Sequence, residues 1–177
     1  LCPCGILLLL PPTGGMRLKT VVIVGASGVV GSRVLEHLLA SDEVGNVVAL
    51  GRRVLPETHT KLVSKVVDLQ GSATLAGEIP GDAAIAVCCL GTTMKQAGSK
   101  QAFRAVDHDA VVAFGEAARS QGAEHFLLVS SLGANARSRN FYLKTKGEAE
   151  EALARTGFSR LTVLRPSFID DEGARAD

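Results

Sequence analysis

Short runs of hydrophobic residues alternate along this chain with longer segments in which hydrophobic residues recur every three or four positions. The short runs predict six β-strands, at residues 20–24, 46–50, 61–67, 83–90, 126–130 and 161–164. The longer segments predict helices at residues 28–40, 72–78, 100–121 and 141–155. Strands that alternate with helices pair in parallel through right-handed crossovers. The pattern therefore predicts an α/β fold with a doubly wound parallel sheet.

The longest predicted helix, residues 100–121, contains one hydrophobic stripe. Its members are spaced three or four residues apart, which places them on one face of an uninterrupted helix. The spacing therefore predicts a single amphipathic helix whose stripe is formed by Phe103, Val106, Ala110, Phe114 and Ala117.

Three evenly spaced glycines, Gly25, Gly28 and Gly31, lie between the first strand and the first helix. A strand that ends in glycine can turn sharply into a helix, whose free N–H groups then face a bound anion. We expect Gly25 to make the turn, Gly28 to leave room for a pyrophosphate and Gly31 to let the helix approach the strand. The alternative is an ordinary connection with chance glycines. The flanking strand and amphipathic helix favour a Rossmann-like dinucleotide site, whose predicted members are Gly25, Ser27, Gly28, Val29, Val30 and Gly31.

The residues after the second strand indicate which dinucleotide this site prefers. An acidic residue at that place accepts hydrogen bonds from the ribose of NAD and repels a 2′-phosphate. This chain instead has Arg52 and Arg53, whose guanidinium groups can bind a phosphate through paired hydrogen bonds. We therefore expect NADP(H) in preference to NAD(H), with Arg52 as the stronger candidate; the alternative is a solvated surface pair. Further along the sheet edge, the predicted dinucleotide contacts are Asp68, Leu69, Cys89, Leu90, Gly91 and Thr92.

A tyrosine and a lysine four residues apart, Tyr142 and Lys146, lie in the helix predicted after the fifth strand. Residues at positions i and i+4 share a helix face, so the ammonium of Lys146 would favour the phenolate form of Tyr142. Such a tyrosine exchanges a proton with a carbonyl or alcohol oxygen, and Ser131 at the end of the fifth strand is placed to hold that oxygen. The alternative is a packed tyrosine ring with a solvated lysine. The order of these residues behind the glycine turn favours a catalytic set of Ser131, Tyr142 and Lys146.

Composition narrows the function classes. The 177 residues suit one domain, and 19 basic against 18 acidic residues leave a formal net charge of +1. We therefore expect neither a nucleic-acid surface nor a membrane segment. The four histidines have no metal-ligand spacing, so no metal site is predicted. Cys88 and Cys89 are expected to face opposite sides of their strand as core thiols of a reducing compartment, which favours a cytoplasmic location.

Several longer stretches resemble the atypical, NAD(P)-binding branch of the short-chain dehydrogenase/reductase superfamily. The resemblance covers about residues 16–167, and its motifs are VGASGVVG at 24–31, CLGTT at 89–93, AGS at 97–99, FRAVD at 103–107, VSSLGA at 129–134, FYLKTKGE at 141–148 and LRPS at 164–167. The resemblance implies that Ser131, Tyr142 and Lys146 are the catalytic residues and that Lys146 also binds the nicotinamide ribose. It further implies that Pro166 and Ser167 border the nicotinamide.

The chain departs from the superfamily at two places. Asp107 stands where many relatives have an asparagine that supports a proton relay, so it brings a negative charge near Lys146. The residues after Ser167 do not resemble the usual continuation, so most of the lobe that covers the substrate is expected to be truncated. Residues 1–15, before Met16, are expected to be a leader or a disordered extension, residues 16–169 the NAD(P)-binding domain and residues 170–177 a polar tail.

Two functions are compatible with these residues. The favoured one is an NADP(H)-dependent oxidoreductase that transfers a hydride to or from the carbonyl or alcohol carbon of a small-molecule substrate, with Tyr142 as acid and base. The alternative is a non-catalytic NADP(H) sensor that acts through a regulated protein partner. A non-functional fragment is a third hypothesis. The long helices of the superfamily often pair subunits, which makes a homodimer a candidate assembly.

Overall fold

The computed structural model describes residues 18–167. Within this range six strands form one sheet in the order β3-β2-β1-β4-β5-β6, and every neighbouring pair is parallel. Their bounds are Lys19–Val24 for β1, Val44–Gly51 for β2, Leu62–Val66 for β3, Ala83–Cys88 for β4, His125–Val129 for β5 and Arg160–Leu164 for β6. The strand order reverses beside β1, so the loops after β1 and β4 meet at the carboxyl edge. The predicted α/β class and Rossmann-like doubly wound sheet are confirmed.

Helices connect the strands, and one predicted helix is interrupted. The single helix predicted over residues 100–121 changes in its middle, where Ala105–Asp109 forms a π-turn. There the N–H of Ala110 donates to the carbonyl of Ala105, five residues back rather than four. The short helix Met94–Ala97 is an addition to the predicted elements. The observed helices are α1 Val29–Ala40, α2 Ser72–Ala76, α3 Met94–Ala97, α4 Lys100–Arg104, α5 Ala110–Ser120 and α6 Phe141–Ala154.

The π-turn changes which residues of this segment face the core. Phe103, Ala110, Phe114 and Ala117 are buried, as the stripe predicts, but Val106 is only half-buried. Asp107 takes the interior position instead and is 0% exposed. A π-turn contains one residue more than an α-turn, so the side chains that follow are rotated around the helix axis. The predicted stripe is therefore wrong at Val106, because the carboxylate of Asp107 has polar partners inside the protein.

Helices cover both faces of the sheet, as successive residues of β1 show. Val22 belongs to the core beneath α2, α5 and α6, whereas Ile23 belongs to the core beneath α1. Cys88 joins the first core and Cys89 packs against the second, which confirms that the two thiols face opposite sides. Burial raises the pKa of both thiols to about 12, so both are neutral at physiological pH.

The predictions for residues 1–15 and 170–177 concern segments outside the described residues. The sheet lies within the domain predicted over residues 16–169. Between residues 18 and 167, no helix combines the length and the hydrophobicity needed to cross a bilayer.

Candidate functional site

The turn between β1 and α1 is packed so tightly that two of its three glycines have no room for a side chain. Gly25 has a φ of 76°, in the left-handed region, and a Cβ there would lie 2.6 Å from the carbonyl carbon of Cys89. A Cβ on Gly31 would lie 2.0 Å from the carbonyl oxygen of Gly25. Gly25 therefore makes the turn and Gly31 permits the close approach of α1, as the sequence predicts.

The N-terminus of α1 has the features of an anion site. A Cβ on Gly28 would meet the Gly25 carbonyl oxygen at an ordinary 3.4 Å, so space remains around this residue. Ser27 and Gly28 are exposed, none of the described side chains caps the helix, and its first turn contains no acidic residue. The free N–H groups and the positive end of the helix dipole are therefore accessible. The donors at this turn fit a pyrophosphate.

A cleft of about 380 Å³ adjoins the glycine turn on the side of β2. Arg53 lines this cleft, rather than the Arg52 that the sequence favours, although both arginines are exposed. A guanidinium is thus placed beside the residues that follow the glycine turn, where it can meet a phosphate. Glu57 brings one negative charge to the same cleft, whose lining consists of Ser27, Ser32, Arg53, Val54, Leu55, Pro56 and Glu57.

The residues after β4 form a continuous edge from the glycine turn to α6. A Cβ on Gly25 would lie 2.8 Å from the backbone nitrogen of Leu90. One residue further along, a Cβ on Gly91 would lie 3.4 Å from Nζ of Lys146. Residues 89–91 therefore join the two ends of the site, along the path that the sequence predicts for the dinucleotide.

The two predicted contact residues after β3 differ in exposure. Asp68 is exposed, and its carboxylate accepts a hydrogen bond from the N–H of Gln70 at 3.0 Å. The side chain of Leu69 is buried in the core that contains α2. Asp68 therefore remains available to a ligand, whereas the Leu69 side chain serves the packing of the fold.

The first turns of α6 hold both Tyr142 and Lys146. Asn140 caps this helix by accepting a hydrogen bond from the N–H of Leu143 at 3.1 Å. The ring centres of Tyr142 and Phe103 are 5.4 Å apart, so α4 supports the phenol from one side. Lys146 follows one turn later and is 6% exposed. The two residues therefore share one face of α6, as their spacing predicts.

Lys146 is buried against a carboxylate, which excludes the alternative of a solvated lysine. Its Nζ lies 2.7 Å from Oδ1 of Asp107, and the two side chains are 7% and 0% exposed. The N–H of Thr92 donates to the other oxygen of Asp107 at 2.9 Å. Oδ1 accepts no hydrogen bond of ordinary geometry from any described residue, so its contact with Lys146 is an ion pair. Burial raises the pKa of Asp107, against the opposing effects of Lys146 and of the Thr92 N–H.

Ser131 lies in the loop after β5, next to the segment that follows β6. The N–H of Leu132 donates to the carbonyl of Pro166 at 2.9 Å, which extends the contact between these strands beyond their ends. The Ser131 hydroxyl makes a long, 3.5 Å hydrogen bond to the carbonyl of Leu132, so it can turn readily to another partner. The structure thus brings Pro166 beside the predicted serine, and Ser167 follows as an exposed residue.

A hydrogen-bond network that the motifs do not predict joins these two loops to α6. Oγ of Ser130 donates to Oε1 of Glu150 at 2.5 Å, and Nε of Arg165 donates to the same oxygen at 3.0 Å. Arg165 also pairs with the second oxygen of Glu150, and this contact raises the pKa of the guanidinium. Glu150 therefore links β5, α6 and β6. The sequence contains a signal for Glu150, because this residue lies four positions after Lys146, on the helix face that also carries Tyr142.

The family of this chain follows from the similarity of its sequence to known proteins. Residues 25–177 match the family described as NAD(P)H-binding. The chain belongs to this NAD(P)H-binding family. The match confirms the NAD(P)-binding family that the sequence motifs indicate.

Two curated relatives share about a third of their aligned residues with this member of the NAD(P)H-binding family. Protein HTATIP2 of Rattus norvegicus is 37% identical over 157 residues, which cover 87% of this chain and 64% of the rat protein. The protein named FMP52, mitochondrial, of Coccidioides immitis is 32% identical over 166 residues, which cover 88% of this chain and 68% of the fungal protein. The chain therefore spans roughly two thirds of the length of these relatives.

Solved structures with the same architecture include enzymes and NAD complexes. MoeE5 in complex with UDP-glucuronic acid and NAD superposes with a TM-score of 0.69 at 24% identity, covering 83% of this chain and 54% of MoeE5. The oxidoreductase ylbE from Lactococcus lactis superposes with a TM-score of 0.68 at 21% identity, covering 84% of this chain and 68% of that protein. At these identities the likeness shows the fold.

Proposed function

We propose that this chain is an NADP(H)-dependent oxidoreductase acting on a carbonyl or alcohol carbon. The observation that supports it most is the burial of Lys146 one helical turn after Tyr142, beside Gly91 at the end of the edge that begins at the glycine turn. When bound, the nicotinamide supplies or accepts a hydride. Tyr142 exchanges a proton with the substrate oxygen, Ser131 holds that oxygen by a hydrogen bond, and Lys146 binds the nicotinamide ribose.

The remaining dinucleotide contacts are assigned to both ends of the carboxyl edge. The N-terminus of α1, open at Gly28, binds the pyrophosphate. Pro166 and Ser167, next to the loop that contains Ser131, border the nicotinamide. This arrangement requires the dinucleotide to extend from α1 past residues 89–92 to α6.

The preference for NADP(H) is supported by the cleft beside the glycine turn. Arg53 lines this cleft together with Ser27, and a guanidinium there binds a 2′-phosphate by charge-assisted hydrogen bonds. Arg52 is exposed next to it and supplies a second positive charge. Neither the first turn of α1 nor the two residues after β2 contain an acid that would repel that phosphate.

Titration with NADPH and with NADH tests the cofactor preference. We expect Arg53→Ala to weaken NADPH binding about tenfold and to leave NADH binding unchanged, because a charge-assisted contact to the 2′-phosphate is lost. Arg52→Ala is the matched control, and a smaller loss is expected for it because Arg52 does not line the cleft. Equal affinities of the wild-type protein for the two cofactors would contradict the preference.

Turnover of a panel of aldehydes, ketones and secondary alcohols tests the reaction. We expect Tyr142→Phe to lower the rate by about 10²–10⁴-fold, because the proton donor is removed, while calorimetry shows NADPH binding unchanged. A wild-type protein that binds NADPH and converts no member of the panel would favour the sensor over the enzyme.

One surface feature favours the second candidate, an NADP(H) sensor. Leu132 and Leu164 are 61% and 49% exposed, and both lie beside the loops assigned to the nicotinamide. A protein partner that contacts these leucines would respond to the bound cofactor through the adjacent loops. Pull-down with and without NADPH, compared between the wild-type and Leu132→Ser proteins, tests this candidate.

We also propose a reducing compartment for this chain, with the cytoplasm as the favoured one. The neutral, buried thiol of Cys88 supports it, since such thiols suit a reducing environment. The fungal relative has a mitochondrial designation in its name. Cell fractionation with antibodies to this chain distinguishes the cytoplasm from mitochondria.

A further inference from the structure

The π-turn interrupts a helical segment at the residue that contacts Lys146. It rotates Asp107 into the interior and leaves Val106 half-exposed. π-turns are rare and occur mostly as single turns within α-helices, and this one gives Asp107 two polar contacts. These contacts are the N–H of Thr92 at 2.9 Å and the ammonium of Lys146 at 2.7 Å. The π-turn thus places the carboxylate of Asp107 next to the ammonium of Lys146.

The ion pair is shielded from water, so its two charges act strongly on each other. The side chains of Lys146 and Asp107 are 7% and 0% exposed. The attraction between opposite charges at this distance is several times stronger in a partly dry interior than in water. A third group nearby therefore experiences a compact dipole instead of a free positive charge. Tyr142 is that group, because it lies one turn before Lys146 on the same face of α6.

The other ionisable groups around this pair have partners of their own. Burial raises the pKa of Cys88, on β4, to about 12 and keeps its thiol neutral. Among residues 18–167, Asp107 is the carboxylate in ion-pair contact with Lys146. The remaining charged groups on the π-turn and α6 form the pairs His108 with Asp109, Glu148 with Arg104 and Lys144, Glu150 with Arg165, and Glu151 with Arg155.

We propose that Asp107 is a positioning residue that fixes the ammonium of Lys146 and cancels its charge toward Tyr142, so that Tyr142 remains a protonated phenol ready to donate. This inference rests on the proposed function, because it concerns the same tyrosine. In the reduction of a carbonyl compound, the protonated phenol is the form that donates the proton.

The proposed reduction balances in atoms and charge. Bound NADPH would supply the hydride for the new C–H bond at the carbonyl carbon. The O–H bond of Tyr142 breaks, and its proton forms the O–H bond of the product alcohol. The phenolate that remains recovers a proton from the solvent. Asp107 and Lys146 neither gain nor lose a proton in this step.

A direct measurement of the Tyr142 protonation state is available, because it is the single tyrosine of a chain that has no tryptophan. The ultraviolet absorbance of phenolate, followed against pH in the ligand-free full chain, reports on this side chain alone. We expect Asp107→Asn to lower the midpoint of that titration by about one pH unit, which is about a tenfold gain of phenolate at a given pH below the midpoint. Asp109→Asn is the matched control, since it removes an equal charge from the exposed side of the same π-turn, and its midpoint should equal that of the wild type.

A second variant covers the case in which Asp107→Asn fails to fold. The double variant Asp107→Asn with Lys146→Met contains neither charge of the pair. If the pair acts on Tyr142 as a neutral unit, this variant should titrate within a few tenths of a pH unit of the wild type. A midpoint about one unit higher would overturn the inference, because it would show that Lys146 acts on Tyr142 as a free charge in the wild type.

The same proteins separate this inference from the proposed function. A lower midpoint in Asp107→Asn supports the role of Asp107 even if no carbonyl compound is reduced, in which case only the oxidoreductase proposal fails. An unchanged or higher midpoint in folded Asp107→Asn overturns the inference, even if NADPH-dependent reduction by the wild type depends on Tyr142. Circular dichroism of each variant establishes that it is folded before its titration is interpreted.

Discussion

The two ends of the carboxyl edge are built in different ways. At the turn between β1 and α1 the glycine backbone determines the shape, because Gly25 and Gly31 leave no room for a Cβ. At α6 buried charges determine it, since Asp107, Lys146 and Glu150 are 0%, 6% and 7% exposed. The first end depends on steric fit and the second on electrostatic balance. Substitutions at the two ends are therefore expected to fail for different physical reasons.

The largest effect is expected at the α6 end. Asp107→Ala leaves the ammonium of Lys146 buried without its carboxylate, so the free energy of unfolding should fall by about 3–5 kcal/mol. Denaturant unfolding followed by circular dichroism measures the loss. Asp109→Ala, in the same π-turn but exposed, should cost less than about 1 kcal/mol. Equal stabilities of Asp107→Ala and Asp109→Ala would contradict the view that the buried Asp107–Lys146 pair stabilises the α6 end.

The next largest effect is expected at the glycine turn. Gly31→Ala places a Cβ 2.0 Å from the carbonyl oxygen of Gly25, so α1 must shift away from β1. We expect a loss of about 3 kcal/mol in the free energy of unfolding, together with loss of NADPH binding. Denaturant unfolding and calorimetry measure the two effects separately.

Gly28→Ala is the matched control for the turn, because its Cβ would lie 3.4 Å from the same carbonyl oxygen. The fold should tolerate it, with a change of less than about 1 kcal/mol. NADPH binding should still weaken about tenfold, since the methyl group occupies space assigned to the pyrophosphate. A Gly28→Ala protein with wild-type affinity for NADPH would contradict the placement of the pyrophosphate at this turn.

The glycine turn could be predicted from the sequence because its determinants are local. The positive φ of Gly25 and the contact of Gly31 with the Gly25 carbonyl both follow from the spacing of three glycines between a strand and a helix. The parallel sheet was predictable for a similar reason. The spacing of hydrophobic residues distinguishes strands from helices, and it depends only on neighbouring residues. Which of the two arginines lines the cleft beside this turn was not predictable, because it depends on how the chain bends after β2.

The α6 end was only partly predictable, because its contacts join distant parts of the chain. The resemblance placed Asp107 near Lys146, but the hydrophobic stripe continues through Val106 and conceals the π-turn that buries Asp107. The helix α3 could have been predicted from its capping residues, which are not part of the hydrophobic pattern. Thr93 caps it by accepting from the N–H of Gln96, and Gly98 ends it with a φ of 74°.

A smaller effect is expected from pH, with opposite signs for Asp107 and for Glu148 of α6. Burial raises the folded-state pKa of Asp107 above its ordinary 3.8, so ionising this carboxyl costs more in the folded chain than in the unfolded chain, and the free energy of unfolding falls as pH rises from 3.8 through the folded pKa. The hydrogen bond from Arg104 lowers the pKa of Glu148 below its ordinary 4.5, so its contribution is present above 4.5 and is lost as pH falls through the folded pKa.

The free energy of unfolding of the wild type, Asp107→Asn and Glu148→Gln, measured against pH, tests these signs. The advantage of the wild type over Glu148→Gln should grow as pH rises toward 4.5, whereas its difference from Asp107→Asn should change in the opposite direction above 3.8. Two differences with the same slope would contradict the assignment of burial as the dominant effect on Asp107.

The smallest effect is expected at an exposed ion pair of the nucleotide end. Arg33 and Glu36 of α1 are 3.1 Å apart, but their side chains are 77% and 60% exposed. Arg33→Ala should therefore change the free energy of unfolding by less than about 0.5 kcal/mol, because water and salt screen the pair. Denaturant unfolding at low and high ionic strength measures this change. The difference between the wild type and Arg33→Ala should disappear in high salt. A cost comparable to that of Asp107→Ala would show that charge pairing, rather than burial of the pair, separates the two ends of the site.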